Sequence, residues 1–143
     1  MWHGQRKGRR RSAFTLIELL VAVTILGILA ALIVPRVIVR IGGARQAVAV
    51  GNIHTLESKV LEFQIDCGRF PTGQEGLRAL VYPPADVQDK WKGPYVKDKD
   101  IIDPWGEEYI FRYPGRKNAD FDILTLGADK QEGGEGENAD VTN

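Results

Sequence analysis

The sequence predicts an α+β chain: one long N-terminal α-helix, transmembrane over its first half, packed on a small antiparallel β-sheet head. Three observations predict it. Residues 14–34 form a nearly unbroken apolar run, and residues 53–67 carry a single apolar stripe. An alternating segment, 109–113, and a returning apolar segment, 121–126, are separated by turn residues. At 143 residues the chain is one domain with appendages rather than two independent domains.

The first element is a basic block, Arg6-Lys7-Gly8-Arg9-Arg10-Arg11-Ser12-Ala13. Positive charge flanking an apolar segment holds that end in the cytoplasm, so the rest of the chain is delivered across the membrane. The apolar run that follows is about 22 residues long, which as a helix gives roughly 33 Å, enough to cross a bilayer's hydrocarbon core. Within it stands one acid, Glu18. A carboxylate there costs at least about 2.5 kcal/mol unless it is paired, and intramembrane ionisable groups usually carry a function. If a peptidase cuts between Ala13 and Phe14, the new amino terminus of Phe14 lies one helical turn before Glu18. Pairing of that ammonium with Glu18, within one chain or between copies, would offset the desolvation cost. An ordinary secretory signal has a shorter apolar region, about 7–15 residues, and ends in small residues. This run ends in Val34-Pro35-Arg36. A plain signal anchor explains the length and the flanking charge, but not the Glu.

The segment Arg11-Ser12-Ala13-Phe14-Thr15-Leu16-Ile17-Glu18-Leu19 resembles the processing site of type IV prepilins and pseudopilins. The resemblance implies that a prepilin peptidase removes the leader, residues 1–13, and methylates the amino group of Phe14. It also makes Glu18 the fifth mature residue, an acid the family uses in assembly. The residue before the cut is usually Gly, and here it is Ala13, also small enough for cleavage.

Beyond residue 36 the helix changes character. Pro35 removes one backbone donor and is expected to bend or loosen it, with Gly27, Gly42 and Gly43 as weaker points. Ile53, Leu56, Val60, Phe63 and Cys67 recur at spacings of three and four, while Arg45, Gln46, His54, Glu57, Lys59 and Glu62 fall largely outside that stripe. The segments read as a membrane or filament-core helix, 14–36, an amphipathic continuation, 37–68, and a head, 69–143. Cys67 is the only cysteine, which excludes an internal disulfide, and it reads as a small buried side chain. His54, with one other His in the leader, supplies no metal or catalytic pair.

Gly68 and Pro71 end the helix. Thr72-Gly73-Gln74-Glu75 has the spacing of a capping box and opens a short helix through Leu77 and Leu80, stopped at Tyr82-Pro83-Pro84. In the charged loop 85–99, Trp91 and Tyr95 pin the chain to the body. Asp103-Pro104-Trp105-Gly106 has the pattern of a type I turn. The strand Tyr109–Tyr113 alternates aromatics on one face, the turn 114–118 reverses it, and Phe121–Leu126 returns. Trp105 and the tyrosines read as packing rather than a ligand platform.

The tail 126–141 holds five acids and four glycines against one lysine. One reading is a frayed, solvated acidic tail. The other is a calcium loop, with carboxylate and carbonyl oxygens as hard ligands and glycines permitting the wrap. The D-x-D-x-D-G spacing of an EF-hand is absent. The head is small, domains of that size often need a metal or disulfide staple, and a disulfide is not available.

Several segments in order, Asp66–Thr72, Glu75–Leu80, Asp103–Gly106, Phe121–Ile123, Leu126–Asp129, Gly133–Gly136 and Ala139–Val141, are similar to the major pseudopilins of the type II secretion system, a type IV pilin-like family. The resemblance implies a helical homo-oligomeric filament assembled from the inner membrane through Glu18 and Pro35. Its implied partners are minor pseudopilins, prepilin peptidase, an inner-membrane platform and an outer-membrane secretin, with the head in the periplasm. It also implies calcium as the cofactor, held by Asp129, Asp140 and Glu135 with the carbonyls of Leu126 and Gln131; Lys130 stands where a small residue is common. A type IV pilus or DNA-uptake pilin is the alternative, although it usually carries a cysteine pair. Removing the five basic leader residues leaves 14 basic against 19 acidic side chains, so no nucleic-acid surface is indicated. No Ser/His/Asp set, CxxC, HExxH or phosphate loop appears, so the chain is not expected to be an enzyme.

Overall fold

The computed structural model describes residues 14–143, apart from the side chains of residues 34–41. The leader 1–13, including Ala13, lies outside the described residues, as do the side-chain contacts of Pro35. Two compact units divide between Ile38 and Val39.

Helix α1, Leu16–Cys67, contributes to both units. Its backbone stays helical through Pro35, Gly42 and Gly43, so the loss of one donor at Pro35 does not break it. In the first unit Leu16–Ile33 is long and apolar enough to cross a membrane, and none of it is buried. Thr24, the hydroxyl within this span, donates to the Leu20 carbonyl at 2.8 Å, which keeps it satisfied without water.

In the second unit the predicted stripe is the core. Ile53, Leu56, Val60, Phe63 and Cys67 are all buried, and Ala49 extends them by one turn. Gly68 takes φ +77° and its N–H closes on the Gln64 carbonyl, ending α1. Thr72 and Glu75 form the reciprocal capping box, with Thr72 N–H to Glu75 Oε2 at 2.8 Å and Glu75 N–H to Thr72 Oγ1 at 3.2 Å. The helix it opens is a 3-10 turn, Gly76–Leu80, that buries Leu77, Ala79 and Leu80. Arg69 grips Glu75 and Asp86 together, joining the end of α1 to the next two segments and holding both carboxyls below their usual range. In the loop 85–99, Trp91 Nε1 donates to the Ala79 carbonyl and the Tyr95 hydroxyl to Asp66. Burial pushes the Tyr95 phenol up to about 12. A second 3-10 turn, Asp98–Ile101, leads to the predicted Asp103–Gly106 turn, closed by Gly106 N–H to Asp103 O at 3.1 Å.

The sheet has three antiparallel strands in the order β1 (Ile110–Arg112), β2 (Asp122–Thr125), β3 (Val141–Thr142). Phe111 faces Ile123 and Thr125 faces Val141. The first two strands are shorter than expected: Tyr109 and Phe111 are buried, but Tyr113 lies beyond β1, exposed and tilted against Phe70 with ring centroids 5.5 Å apart. The third strand is new. The sequence reads 126–141 as loop throughout, whereas its last residue, Val141, returns with Thr142 to pair with β2. The loop between β1 and β2 is organised by the buried Asp122 carboxylate, which accepts the backbone N–H groups of Arg116, Lys117 and Asn118 at 2.6, 3.0 and 2.9 Å.

Candidate functional site

Two places carry chemistry, one in each unit. At the start of α1, Thr15 is the residue before the helix. Its Oγ1 accepts the Glu18 N–H at 3.3 Å, and its own N–H points to Glu18 Oε2 at 3.5 Å. This is a second S/T-x-x-E capping box, legible in Thr15-Leu16-Ile17-Glu18 but not drawn from it. A capping box places the Glu18 carboxylate against the first free N–H groups of the helix, the end where the helix dipole favours negative charge. Phe14 precedes the cap and is exposed. Glu18 therefore has a local partner even without a neighbouring amine.

The second place is the loop from β2 to β3. Thr125, buried at the end of β2, donates to the buried Asp103 carboxylate, which also accepts the N–H groups of Trp105 and Glu107. The chain then turns at Gly127 (φ +68°), where a Cβ would lie 2.8 Å from the Glu137 carbonyl oxygen. Ala128 N–H donates to that same carbonyl at 3.0 Å, closing the loop at its neck. Gly134 (φ +89°), though exposed, also passes close to backbone: a Cβ there would lie 2.5 Å from the Asn138 carbonyl oxygen. No other residue type fits either position without displacing backbone.

The five acids of this loop go separate ways. Asp129 Oδ1 accepts the Gln131 N–H in an Asx turn at 3.1 Å and is exposed. Glu132 pairs with Arg112 at 3.0 Å. Glu137 turns to α1, meeting Arg45 at 3.0 Å and Trp105 Nε1 at 3.2 Å. Glu135 is exposed. Asp140 alone points inward: Oδ2 accepts the Gly133 N–H at 3.0 Å, while Oδ1 is buried with no partner. Among the described residues no three acidic, His or Cys side chains converge as a metal-binding group. The structure therefore does not gather Asp129 and Glu135 with Asp140. The buried, orphaned Asp140 oxygen does fit a cation, because an unpartnered carboxylate oxygen inside a protein is costly. Lys130 adopts φ 59° and pairs with Glu107, so its ammonium is directed to the 103–107 turn and not into the loop.

Sequence reasoning missed Gln46. It places this residue outside the stripe, yet 46, 49, 53, 56, 60, 63 and 67 alternate spacings of three and four, and Gln46 is half-buried. Its Nε2 donates to the carbonyls of Gly136, Glu137 and Ala139 at 3.0, 3.2 and 2.9 Å. The period was the available signal.

The comparisons with known proteins follow the same two places. A family profile for type II secretion system (T2SS), protein G, matches residues 36–143, and one for the prokaryotic N-terminal methylation motif matches residues 8–34. The chain is 45% identical to a type II secretion system core protein G of Pseudomonas aeruginosa, covering 94% of this chain and 96% of the relative. It is 41% identical to a core protein G of Vibrio cholerae serotype O1, covering 96% and 94%. Among solved structures it is similar to the major pseudopilin from the type 2 secretion system of enterohaemorrhagic Escherichia coli. That match has a TM-score of 0.57 at 29% identity, over 70% of this chain and 86% of the other.

Proposed function

The chain belongs to the type II secretion system protein G family, and on that premise we propose how its two sites serve a secretion filament. The chain is a structural subunit of the pseudopilus; the family is one of structural pseudopilins, and its chemistry is assembly. The observation that carries the reading is the wholly exposed apolar span Leu16–Ile33 with its one acid at the start. An apolar surface of that length is stable only in lipid or against other such helices.

Before assembly the chain sits in the inner membrane as a single-pass protein, leader in the cytoplasm and head in the periplasm. Prepilin peptidase cuts between Ala13 and Phe14 and methylates Phe14. The assembly platform then moves the helix from lipid into a growing filament tipped by minor pseudopilins. There Glu18 exchanges its weak local cap for the charged terminus of a neighbour, which sets axial register. Filament growth pushes folded proteins through the outer-membrane secretin. In the head, calcium would be held by Asp129, Asp140 and Glu135 with the carbonyls of Leu126 and Gln131, of which Asp140 already points inward. When bound, the ion supplies a positive centre that stabilises the loop. The chain's own contribution is the glycine-permitted wrap and the Asp140 oxygen aimed inward.

The test is Glu18→Leu in the full chain. It is expected to insert in the membrane and to be processed normally, yet to fail in filament formation and secretion. Filaments and secretion at wild-type level would refute the role of Glu18.

A further inference from the structure

Beside the Arg45–Glu137 ion pair, an uncharged side chain, Gln46, also holds the C-terminal loop to α1. Gln46 occupies a position on the buried stripe that an apolar residue would otherwise take, and Gly42, one turn earlier, is also buried. Glycine at 42 leaves room for the Glu137 side chain, since a Cβ there would lie 3.0 Å from Glu137 Cβ. With Glu137 drawn against the helix by Arg45 and Trp105, the backbone 136–139 passes directly over Gln46. Three carbonyl oxygens then meet one amide nitrogen at 2.9–3.2 Å. Carbonyl dipoles converging in this way repel one another unless something electropositive faces them, and the carboxamide N–H₂, with two protons, is the group that does so. Ala139, the last of the three, is the residue before Asp140. The position of the Asp140 carboxylate is therefore set from two sides: by Gln46 through the backbone behind it, and by the Gly133 N–H through Oδ2.

We propose that Gln46 is a positioning residue for divalent-cation binding: it preorganises 136–139 so that the inward Asp140 oxygen is presented, and a bound cation in turn tightens the loop on α1. The inference rests on the calcium reading above. Nothing in it requires Gln46 to touch the ion. It follows from linkage: two interactions that favour the same loop conformation strengthen each other equally in both directions. Preorganisation of this kind raises affinity by removing an ordering cost from the binding step.

The experiment uses the full processed chain in detergent micelles, with calcium alone as the probe. Four proteins are compared: wild type, Gln46→Leu, which keeps the size and loses the donors, Gln46→Lys, which returns donors to the same carbonyls, and Gln46→Glu, which turns an acceptor toward them. Calcium affinity is measured by titration calorimetry, and amide exchange over 126–142 is followed in chelator. Gln46→Leu is expected to weaken calcium binding on the order of tenfold, within the usual span of coupling between sites. It is also expected to speed exchange at 135–142 while leaving 53–67 protected; Gln46→Lys restores both. Protection at 53–67 certifies that the variant is folded, and should Gln46→Leu fail that check, wild-type affinity in Gln46→Lys beside weakened affinity in Gln46→Glu gives the same support. Equal affinity in wild type and Gln46→Leu, both binding calcium, overturns the inference alone. A wild type that binds no calcium overturns the reading beneath it, and the inference with it.

Discussion

Replacing Asp140 by Asn tests the proposed cation site with a sign reversal. In the structure Asp140 Oδ1 is buried without a partner, and Oδ2 accepts one backbone N–H. Leaving a buried polar atom unsatisfied costs about 1–3 kcal/mol, and more if it is charged. Asn keeps an oxygen for Gly133 and replaces an orphaned charge by a neutral amide. In chelator the variant is therefore expected to be as stable as wild type, or about 1 kcal/mol more stable. In calcium at 100 times its dissociation constant, wild type gains about 2.7 kcal/mol by mass action. For a domain of this size that raises the melting temperature by on the order of 10 °C. The variant has lost the inward carboxylate and gains little. Thermal unfolding of the full processed chain, followed by near-ultraviolet circular dichroism in chelator and in calcium, reads both arms. The stability order of the two proteins should cross between conditions. An equal upward shift in both, or none in wild type, refutes the assignment of Asp140.

Asp122 should set part of the acid sensitivity of the head. Burial opposes its ionisation, but three backbone N–H groups and the Asn118 amide outweigh burial and hold its carboxyl below the usual range. Its contribution is thus fully present above the unfolded value of about 3.9 and lost as pH falls through the lower folded value. Urea unfolding at neutral pH and near pH 3 should show that loss, and Asp122→Asn should cost about 2–3 kcal/mol at neutral pH and flatten the acid limb. Lys130→Gly should stabilise the head slightly: a left-handed non-glycine costs about 1–2 kcal/mol, against roughly 0–1 kcal/mol for an exposed ion pair. A lower melting temperature would show that the Glu107 pair outweighs the backbone strain.

What the sequence makes legible here is whatever has its cause close by in the chain. The stripe Ile53–Cys67, the Gly68 stop, the Thr72/Glu75 box and the Asp103–Gly106 turn each follow from residues within about one turn of one another, and the structure has all of them. What was not legible has distant causes. β3 is two residues long, too short for alternation, and exists because Thr125 and Leu124 offer it an edge. Asp122 reads as one polar place in a strand, yet it is buried because the turn before it aims three N–H groups at one point. Gln46 meets carbonyls 90 to 93 residues away. The five tail acids suggest a pooled cluster by composition, and only tertiary structure shows that Arg45 and Arg112 each take one away.

That separation decides what kind of cation site the loop can be. Pooled carboxylates would attract calcium mainly through summed charge, an attraction that salt screens as the Debye length falls from about 30 Å at 0.01 M to about 3 Å at 1 M. With Glu132 and Glu137 paired elsewhere, and Asp140 the one inward carboxylate, the proposed site would draw its affinity from oxygens held at short range, which screening barely reaches. Binding should then depend only weakly on ionic strength and strongly on whatever shapes the backbone. Titrations of wild type in rising concentrations of an inert monovalent salt test this directly. A shallow slope, with Gly134→Ala abolishing binding through the contact its Cβ would make with the Asn138 oxygen, is the expected pair of results. A steep slope shared by Gly134→Ala would return the loop to a diffuse acidic patch, with calcium no more than a counterion.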